Sequence, residues 1–461
     1  MALLGIENSL DDFRRIMEQA EDADRAFRRF QDLQDSVGQS AAEFRTAKET
    51  LEGILKSLRS QLDRFLAGQY DQKNLKNETA FQKWKQSHEP FHWFVEFYGI
   101  MNGGGVDVIV GNPPYVEYKD VKLTYRIKGF ETELCGDLYG YTMERAYRIS
   151  STGQWLGMIV PISIFGLDGF SSLQSLTRSC FSNVWCSFYS NRPSQLFDGA
   201  QKRLTILIGE RGVAESTFFT SRYHRWLKSE FDTLFKGQLE YGCNSSPFRI
   251  FSSSLEKIGS DIQTKCLEKI TARSSALEID LQKRSDYPVY YTRKFGYFLA
   301  FLDTPPKVRS IQTGAKLLPT ELKEFWFSSP KAQAAAIGAL SSSCFFWFWN
   351  VLSDCRNLNR RDLTAFPWAA SKMDTESLTK LSKAGGLYLK KLRTTSHEME
   401  KSGLFLETFE YRKSKVQLDE IDTILASHYG FTPEELDFII NYDIKYRMGL
   451  GGGSAEEDDE P

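Results

Sequence analysis

The sequence lacks most of the features that announce a site. Its seven cysteines (135, 180, 186, 243, 266, 344 and 355) contain no Cys-x-x-Cys pair, and its five histidines (88, 92, 224, 397 and 428) are scattered. Neither spacing makes a metal centre or a disulfide framework. Unpaired thiols fit a reducing, cytoplasmic setting. The N-terminal stretch is acidic and amphipathic, unlike a secretory leader. No long apolar run is present. The most apolar stretch, Ala334–Leu352, is interrupted by Ser341, Ser342, Ser343, Cys344 and Asn350. A membrane span wants about 20 apolar residues, so a buried helix and no membrane are expected. Charge of one sign is also missing: the net charge is −2, so global charge does not announce a nucleic-acid binder. No internal repeats are visible.

What is present is length and aromatic content. A chain of 461 residues can form two or three domains with a sizeable core. Hydrophobic residues at 41% and charged residues at 26% place it among globular chains. Aromatics reach 14%, and flat rings serve for base stacking as well as for core filling. Charge is distributed unevenly. Residues 201–300 carry 16 Lys and Arg against 11 Asp and Glu, while the tail Ala455–Pro461 is acidic.

The chain is organised around ten residues, Val106-Asp-Val-Ile-Val-Gly-Asn-Pro-Pro-Tyr115. The β-branched run Val106–Val110 predicts a buried strand. Gly111 ends it. Pro113 and Pro114 cannot donate to a ladder, so the chain must leave the sheet there. In open α/β sheets the carboxyl end of a strand is where ligands bind. The glycines at 103–105 precede the strand, whereas a phosphate-cradling loop comes after one; they read as a turn.

Upstream, residues 1–70 read as helix. Ser9 and Asp12 have capping-box spacing, as do Ser40 and Glu43. Leu51, Leu55, Leu58, Leu62, Phe65 and Leu66 share one face, either packed as a helical hairpin or presented to a partner chain. His92, in the aromatic run Glu89–Phe97, reads as a hydrogen-bonded structural residue. Downstream, Leu123–Leu134 reads as a loop over the turn and Gly136–Tyr147 as a helix. Gly157–Pro161, Val184–Tyr189 and Leu204–Ile208, the last ended by Gly209, read as strands. The connection from Asp198 to Arg203 is too short for a crossover helix, so the last two should form an antiparallel hairpin. This alternation predicts an α/β sheet, doubly wound or mixed. From about residue 215 basic and aromatic residues interleave. Ala332–Asn350 predicts a buried helix, Ser353–Leu363 a polar loop, and Ser414–Tyr429 a helix. Thr432 caps a final helix with Pro433 at its first position. Residues from Gly449 onward read as a disordered tail.

The central turn suits one chemistry. An exocyclic amine on a nucleobase is a poor nucleophile because its lone pair is delocalised into the ring. Two acceptors aimed at its hydrogens localise that pair on nitrogen. The Asn112 amide oxygen and the Pro113 carbonyl can be those acceptors, with Pro114 helping to fix their direction. Tyr115 can stack on the base, which must first leave the duplex. Against this stands a plain reading, in which the prolines close a strand, Asn112 caps the backbone and Tyr115 fills the core.

Asp107-Val-Ile-Val-Gly-Asn-Pro-Pro-Tyr115 resembles motif four of the gamma-class N6-adenine DNA methyltransferases, the large ones of type IIG restriction–modification and phage-defence systems. Pro90–Phe97, Asp137-Leu-Tyr139 with Glu144-Arg-Ala, Gly157–Pro161 and Asn191–Phe197 are similar to neighbouring stretches of that family. So are Asp419-Glu-Ile-Asp422, Tyr429-Gly-Phe and Asp437–Tyr442. The resemblance implies that Asn112 and Pro113 hold the adenine amine, that Tyr115 stacks on the base, and that Phe197 is a second aromatic against it; an ordinary core role for Phe197 stays open. It implies S-adenosyl-L-methionine as methyl donor and double-stranded DNA as partner. The family's cofactor loop, a strand leading into a Gly-rich turn and helix, lies before motif four. No such pattern precedes residue 106, and no nuclease signature does either.

The expected fold is therefore α/β: an incomplete Rossmann-like methyltransferase sheet, later strands only, with an N-terminal helical segment and a C-terminal α+β target-recognition region. The expected boundaries are 1–85 helical, 86–212 the C-terminal half of the methyltransferase domain, 213–448 DNA recognition and helices, and 449–461 tail. The expected function is site-specific adenine-N6 methylation of DNA, with a partner polypeptide supplying the Gly-rich cofactor half. The alternatives are an inactive remnant that only binds DNA or partners, and a methyltransferase for RNA or protein. Arg222, Arg225, Lys228, Arg293, Lys294, Arg356, Arg360 and Arg361 are candidates for DNA contact, because phosphates are held by Lys and Arg.

Overall fold

A computed structural model describes residues 10–35, 41–123, 126–199, 201–213, 215–237, 239–244, 247–273, 276–293, 298 and 301–449. The chain forms two compact units, Met1–Gly157 with Glu210–Val213, and Met158–Gly209 with Ala214–Pro461.

In the first unit, helices α1 (Leu10–Asp35) and α2 (Ala41–Tyr70) make a long helical pair. Of the apolar stripe read from the sequence, Leu51 and Leu58 are buried, beside Ala47 and Ala67, while Leu55, Leu62, Phe65 and Leu66 are half-buried. Ser9 and Ser40, the expected caps, lie outside the described residues. The pair is tied to the segment before the central strand. The Phe27 ring meets Tyr98 edge-on at 5.3 Å, and Asn102 donates to Asp24 at 2.8 Å. Asp63, 1% exposed, takes His92 at 2.8 Å and Lys85 at 2.6 Å. His92 is thus a hydrogen-bonded structural residue, as its isolation in sequence predicted.

Six strands form a mixed sheet: β1 (Val106–Gly111), β2 (Ser150–Pro161), β3 (Phe181–Tyr189), β4 (Leu204–Arg211), β5 (Thr217–His224) and β6 (Gly242–Asn244). Their order is β1-β2-β4-β3-β5-β6. Gly105 abuts Ile149 and Gly157 abuts Val110, so β1 and β2 run parallel. The end of β4 meets the start of β3, with Phe181 packed on Gly209; this is the antiparallel hairpin expected from the short connection. β5 pairs parallel with β3, so the sheet runs on past residue 213.

Three expectations are corrected here. The central strand forms where predicted, but it is not buried. It lies at the sheet's end, with Val108 60% and Val110 81% exposed. Gly209 does not end β4, because a glycine is what lets the Phe181 ring sit against that strand: a Cβ there would be 2.6 Å from the ring. The buried helix at Ala332–Asn350 is two helices, α3 (Pro330–Ser341) and α4 (Ser343–Leu352), bent by 60°. The serines are the reason. Ser342 leaves the helical path, and its hydroxyl accepts from Phe345 N at 3.0 Å. The Asp422 carboxylate takes Ser343 N and Cys344 N at 3.2 and 3.1 Å. Together they satisfy the orphan donors that start α4. All ten residues of α4 are buried. Among the described residues no single helix is long and apolar enough to cross a membrane, and only this bent pair passes jointly.

The second unit also holds α5 (Thr375–Thr394), α6 (Lys415–Tyr429) and two smaller sheets, one built on Tyr287–Thr292 and Leu322–Phe327. Thr432 caps the next helix in a capping box with Glu435, as the sequence predicted. The polar loop from Ser353 gives way to a short helix at Arg360–Thr364. The expected tail beyond Gly449 lies outside the described residues.

Helices α3 and α5 cross where Gly338 meets Gly385. A Cβ on Gly385 would stand 2.1 Å from the Ala334 carbonyl oxygen, whereas one on Gly386 would meet nothing within 4 Å. Gly385→Ala should therefore destabilise the protein by about 1–3 kcal/mol, because backbone cannot move aside cheaply. Gly386→Ala should be neutral or stabilising by up to roughly 1 kcal/mol from helix propensity. Urea midpoints of the two variants check this.

Candidate functional site

The site is built from the carboxyl end of β1 outward, within the first unit. Gly111 closes the strand, and the next four residues belong to no helix or strand. Pro113 is buried, Tyr115 half-buried, and Asn112 and Pro114 exposed. Among the described residues no hydrogen-bond partner engages the Asn112 amide or the Pro113 carbonyl oxygen. The Asn112 amide and the Pro113 carbonyl are therefore neighbouring acceptors without a partner among the described residues. The plain reading, with Asn112 capping the backbone, does not describe this geometry.

The turn is held by the chain just beyond it. Tyr118 N donates to Gly136 O at 2.7 Å and Leu138 N to Val116 O at 2.9 Å, with a bridge between Glu117 and Asp137. This antiparallel clamp fastens the chain just past Tyr115 to the start of the helix Leu138–Ile149. That helix brings Tyr139 up edge-on to the Tyr115 ring, centroids 6.4 Å apart. Burial pushes the Tyr115 phenol up to about 12, so it stays protonated in neutral solution. The ring, rather than its ionisation, is what Tyr115 offers.

A second layer supports the clamp. Glu144, 1% exposed, accepts from Glu131 N at 3.1 Å, Thr132 N at 2.9 Å and Thr132 Oγ1 at 2.8 Å, and pairs with Arg148. Arg145 and Arg148 both lie 5.2 Å from the centre of the Phe130 ring, and Phe130 meets Tyr141 edge-on at 5.3 Å. The segment read as a loop, Leu123–Leu134, thus ends in a short turn, Glu131–Cys135, pinned to the helix. Sequence reasoning assigned Tyr139 and Glu144 no role. The one signal they carry in the sequence is that both fall in family-like stretches, Asp137-Leu-Tyr139 and Glu144-Arg-Ala.

Phe197 belongs to the second unit and is 41% exposed, so it is not an ordinary core residue. The basic candidates separate by environment. Arg222, Lys228, Arg356 and Arg360 are not buried. Arg225 has 8% of its side chain exposed; it pairs with Asp443, reaches Asn350 Oδ1 at 3.0 Å and lies 4.7 Å from the Tyr223 ring centre. Arg361 is committed to Asp168, Ser253, Ser254 and the Gly166 carbonyl, over the Phe251 ring. Arg293 reaches Asn359 at 3.3 Å. Lys294 lies outside the described residues. No cluster of His, Cys, Asp and Glu among the described residues could hold a metal ion.

Removing the buried carboxylate strands three donors. Glu144→Ala should cost about 2–4 kcal/mol and speed amide exchange at residues 131–138, with Glu144→Gln intermediate. Thermal melts and hydrogen exchange measure both.

Residues 39–194 match the Eco57I restriction-modification methylase family. A protein of Methanocaldococcus jannaschii, named a putative type II restriction enzyme and methyltransferase, is 26% identical over 246 residues. That alignment covers 51% of this chain and 20% of the relative, so the chain spans about a fifth of the curated relative it matches. Among solved structures, the type IIG restriction endonuclease BpuSI overlaps at a TM-score of 0.29 with 10% identity, covering 76% of this chain and 55% of that one. A Listeria monocytogenes protein, named a putative class I S-adenosylmethionine-dependent methyltransferase, overlaps at 0.18 with 22% identity, covering 24% of this chain and 32% of that one. Structural overlaps this loose carry no argument. The match over residues 39–194 and the curated relative are both similarities to methyltransferases of the restriction–modification kind.

Proposed function

We propose that this chain acts in site-specific adenine-N6 methylation of DNA, supplying the loop that holds the target base and the surface that recognises the duplex. The observation that carries the reading is the pair of open acceptors, Asn112 and the Pro113 carbonyl, beside an aromatic ring whose position is set by Tyr139. An adenine swung out of its stack would give its two amine hydrogens to those acceptors. Lone-pair density then returns to the nitrogen, which becomes the nucleophile. Because the acceptors are already oriented, no reorganisation is needed as charge develops.

The implied cofactor is S-adenosyl-L-methionine, which supplies an electrophilic methyl group when bound. The described residues do not fit its cradle. β1 is the first strand of the described chain, helices precede it, and the glycines at 103–105 enter the strand instead of leaving one. No strand among the described residues runs into a Gly-rich turn and helix ahead of the motif, as such a cradle requires. We assign that half of the site to a separate polypeptide.

Methyl transfer to duplex DNA, measured with the chain and that polypeptide together, tests the reading. Asn112→Ala should lower the rate by roughly 10²–10³, the usual cost of one preorganised polar group. Tyr115→Phe should retain most activity and Tyr115→Ala should lose it, since only the ring is asked for. Undiminished transfer by Asn112→Ala would remove the amine-holding role. Transfer by this chain alone would remove the need for a second polypeptide.

The DNA contacts are proposed for Arg222, Lys228, Arg356 and Arg360. Removing one cation that neutralises a phosphate should reduce the slope of log K against log salt by about 0.9. Arg356→Ala with Arg360→Ala should flatten the slope by nearly two without altering the melting temperature. Arg225→Ala should instead destabilise the second unit by roughly 3–5 kcal/mol, by leaving Asp443 buried and unpaired.

A further inference from the structure

One exposed leucine in the first unit is held with unusual care. In the short turn Glu131–Cys135, Thr132 and Cys135 are buried, while Leu134 between them is 88% exposed. Single exposed leucines are ordinary on protein surfaces. The structure spent on presenting this one is not. The buried Glu144 carboxylate accepts from Glu131 N, Thr132 N and the Thr132 hydroxyl. Glu133 Oε1 accepts from Gly129 N at 3.0 Å, and the Tyr141 hydroxyl donates to Glu133 O at 3.4 Å. The turn closes on Gly136, whose φ of +71° lies in the left-handed region that favours glycine. Leu134 is thus an apolar side chain on a stiff mount.

Its place in the unit gives that projection a use. Gly136 O accepts from Tyr118 N at 2.7 Å, so the clamp just past Tyr115 is also the base of the Leu134 turn. The intervening chain is tied down as well. Ile127 N donates to Tyr118 Oη at 3.0 Å, and Lys128 Nζ to Tyr70 O at 3.0 Å. From Lys119 to Lys128 it carries four cations, Lys119, Lys122, Arg126 and Lys128, against one acid, Asp120. Lys122 and Arg126 are exposed, as contact with a phosphate requires.

A base that leaves its stack gives up pairing and stacking, and it leaves a gap. An apolar side chain driven between base steps fills such space. A polar side chain would have to shed bound water to enter, whereas a leucine has none to shed. A limp loop would also lose freedom on insertion; the bonds to Glu144 have already removed it.

We propose that Leu134 is a wedge that enters the duplex and fills the gap left by the swung-out adenine. This rests on the functional reading above and adds to it the residue that keeps the flipped state open. Asn112, Pro113 and Tyr115 hold the base outside the helix, and Leu134 bars its return. Glu144 then serves both halves of the event, since it fixes the turn that bears the wedge and lies on the helix that brings Tyr139 to Tyr115.

The assay described for Asn112→Ala tests this, run on two duplexes that carry the adenine to be methylated. One has thymine opposite that adenine. The other has a pyrene nucleotide there, a flat ring system large enough to fill the gap itself. Leu134→Ala should leave the melting temperature within about 2 °C, as exposed substitutions usually do. It should slow transfer to the thymine duplex roughly tenfold or more, because the cost of unstacking is no longer offset. On the pyrene duplex it should match the unsubstituted protein. Leu134→Met, still long and apolar, should keep most activity on both. An undiminished rate on the thymine duplex, or equal losses on the two duplexes, overturns the wedge and leaves the adenine reading standing. No methyl transfer to either duplex by the unsubstituted protein removes the adenine reading and the wedge together.

Discussion

Two consecutive prolines at the end of a strand leave the backbone with nothing to donate, and the candidate site derives from that constraint. The chain must quit the sheet after Gly111, and it must do so with little freedom in φ. Its onward course is set by a second device. The bonds between 116–118 and 136–138 catch it within one residue of Tyr115. The turn is therefore stiff at one end by covalent geometry and at the other by a clamp. Between them lie an amide and a carbonyl with no hydrogen-bond partner among the described residues.

The clamp depends in turn on a buried carboxylate. Glu144 gathers two backbone N–H groups and a hydroxyl that would otherwise be stranded inside the first unit. Buried donors without partners are costly, so the Glu131–Cys135 turn, the helix after it and the Tyr139 ring are set by one another. Support of this kind is what separates a turn that could grip a planar base from one that merely ends a strand.

Charge is handled differently in the second unit. In the sequence Arg225 lies among aromatic and basic neighbours and Arg361 in a polar loop beside Arg360, and both are candidates for DNA contact. Arg225 is turned inward onto the buried Asp443, while Arg361 is tied to the exposed Asp168; both lie over aromatic rings. A guanidinium is planar, weakly hydrated and able to stack, so the same residue types that suit phosphates also suit interior ion pairs. Spacing alone does not distinguish the two uses.

The sequence by itself determined the local events whose causes are local. Proline and glycine placed the end of β1, a short connection made β3 and β4 a hairpin, and Thr432 with Glu435 started the last helix. An isolated His92 became a structural residue because no second ligand lay near it. The turn Asn112–Tyr115, where the candidate site lies, is local in the same sense, since Gly111 and the two prolines set where the chain leaves the sheet. Only the tertiary structure decided what depends on neighbours far along the chain: that an apolar strand lies at an edge, that serines break a buried helix because Asp422 caps its second half, that Gly209 carries a strand onward beneath Phe181, and that Tyr139 and Glu144 hold the turn. Burial and pairing are properties of what packs against a residue, and a sequence pattern records only that the residue is suited to being packed.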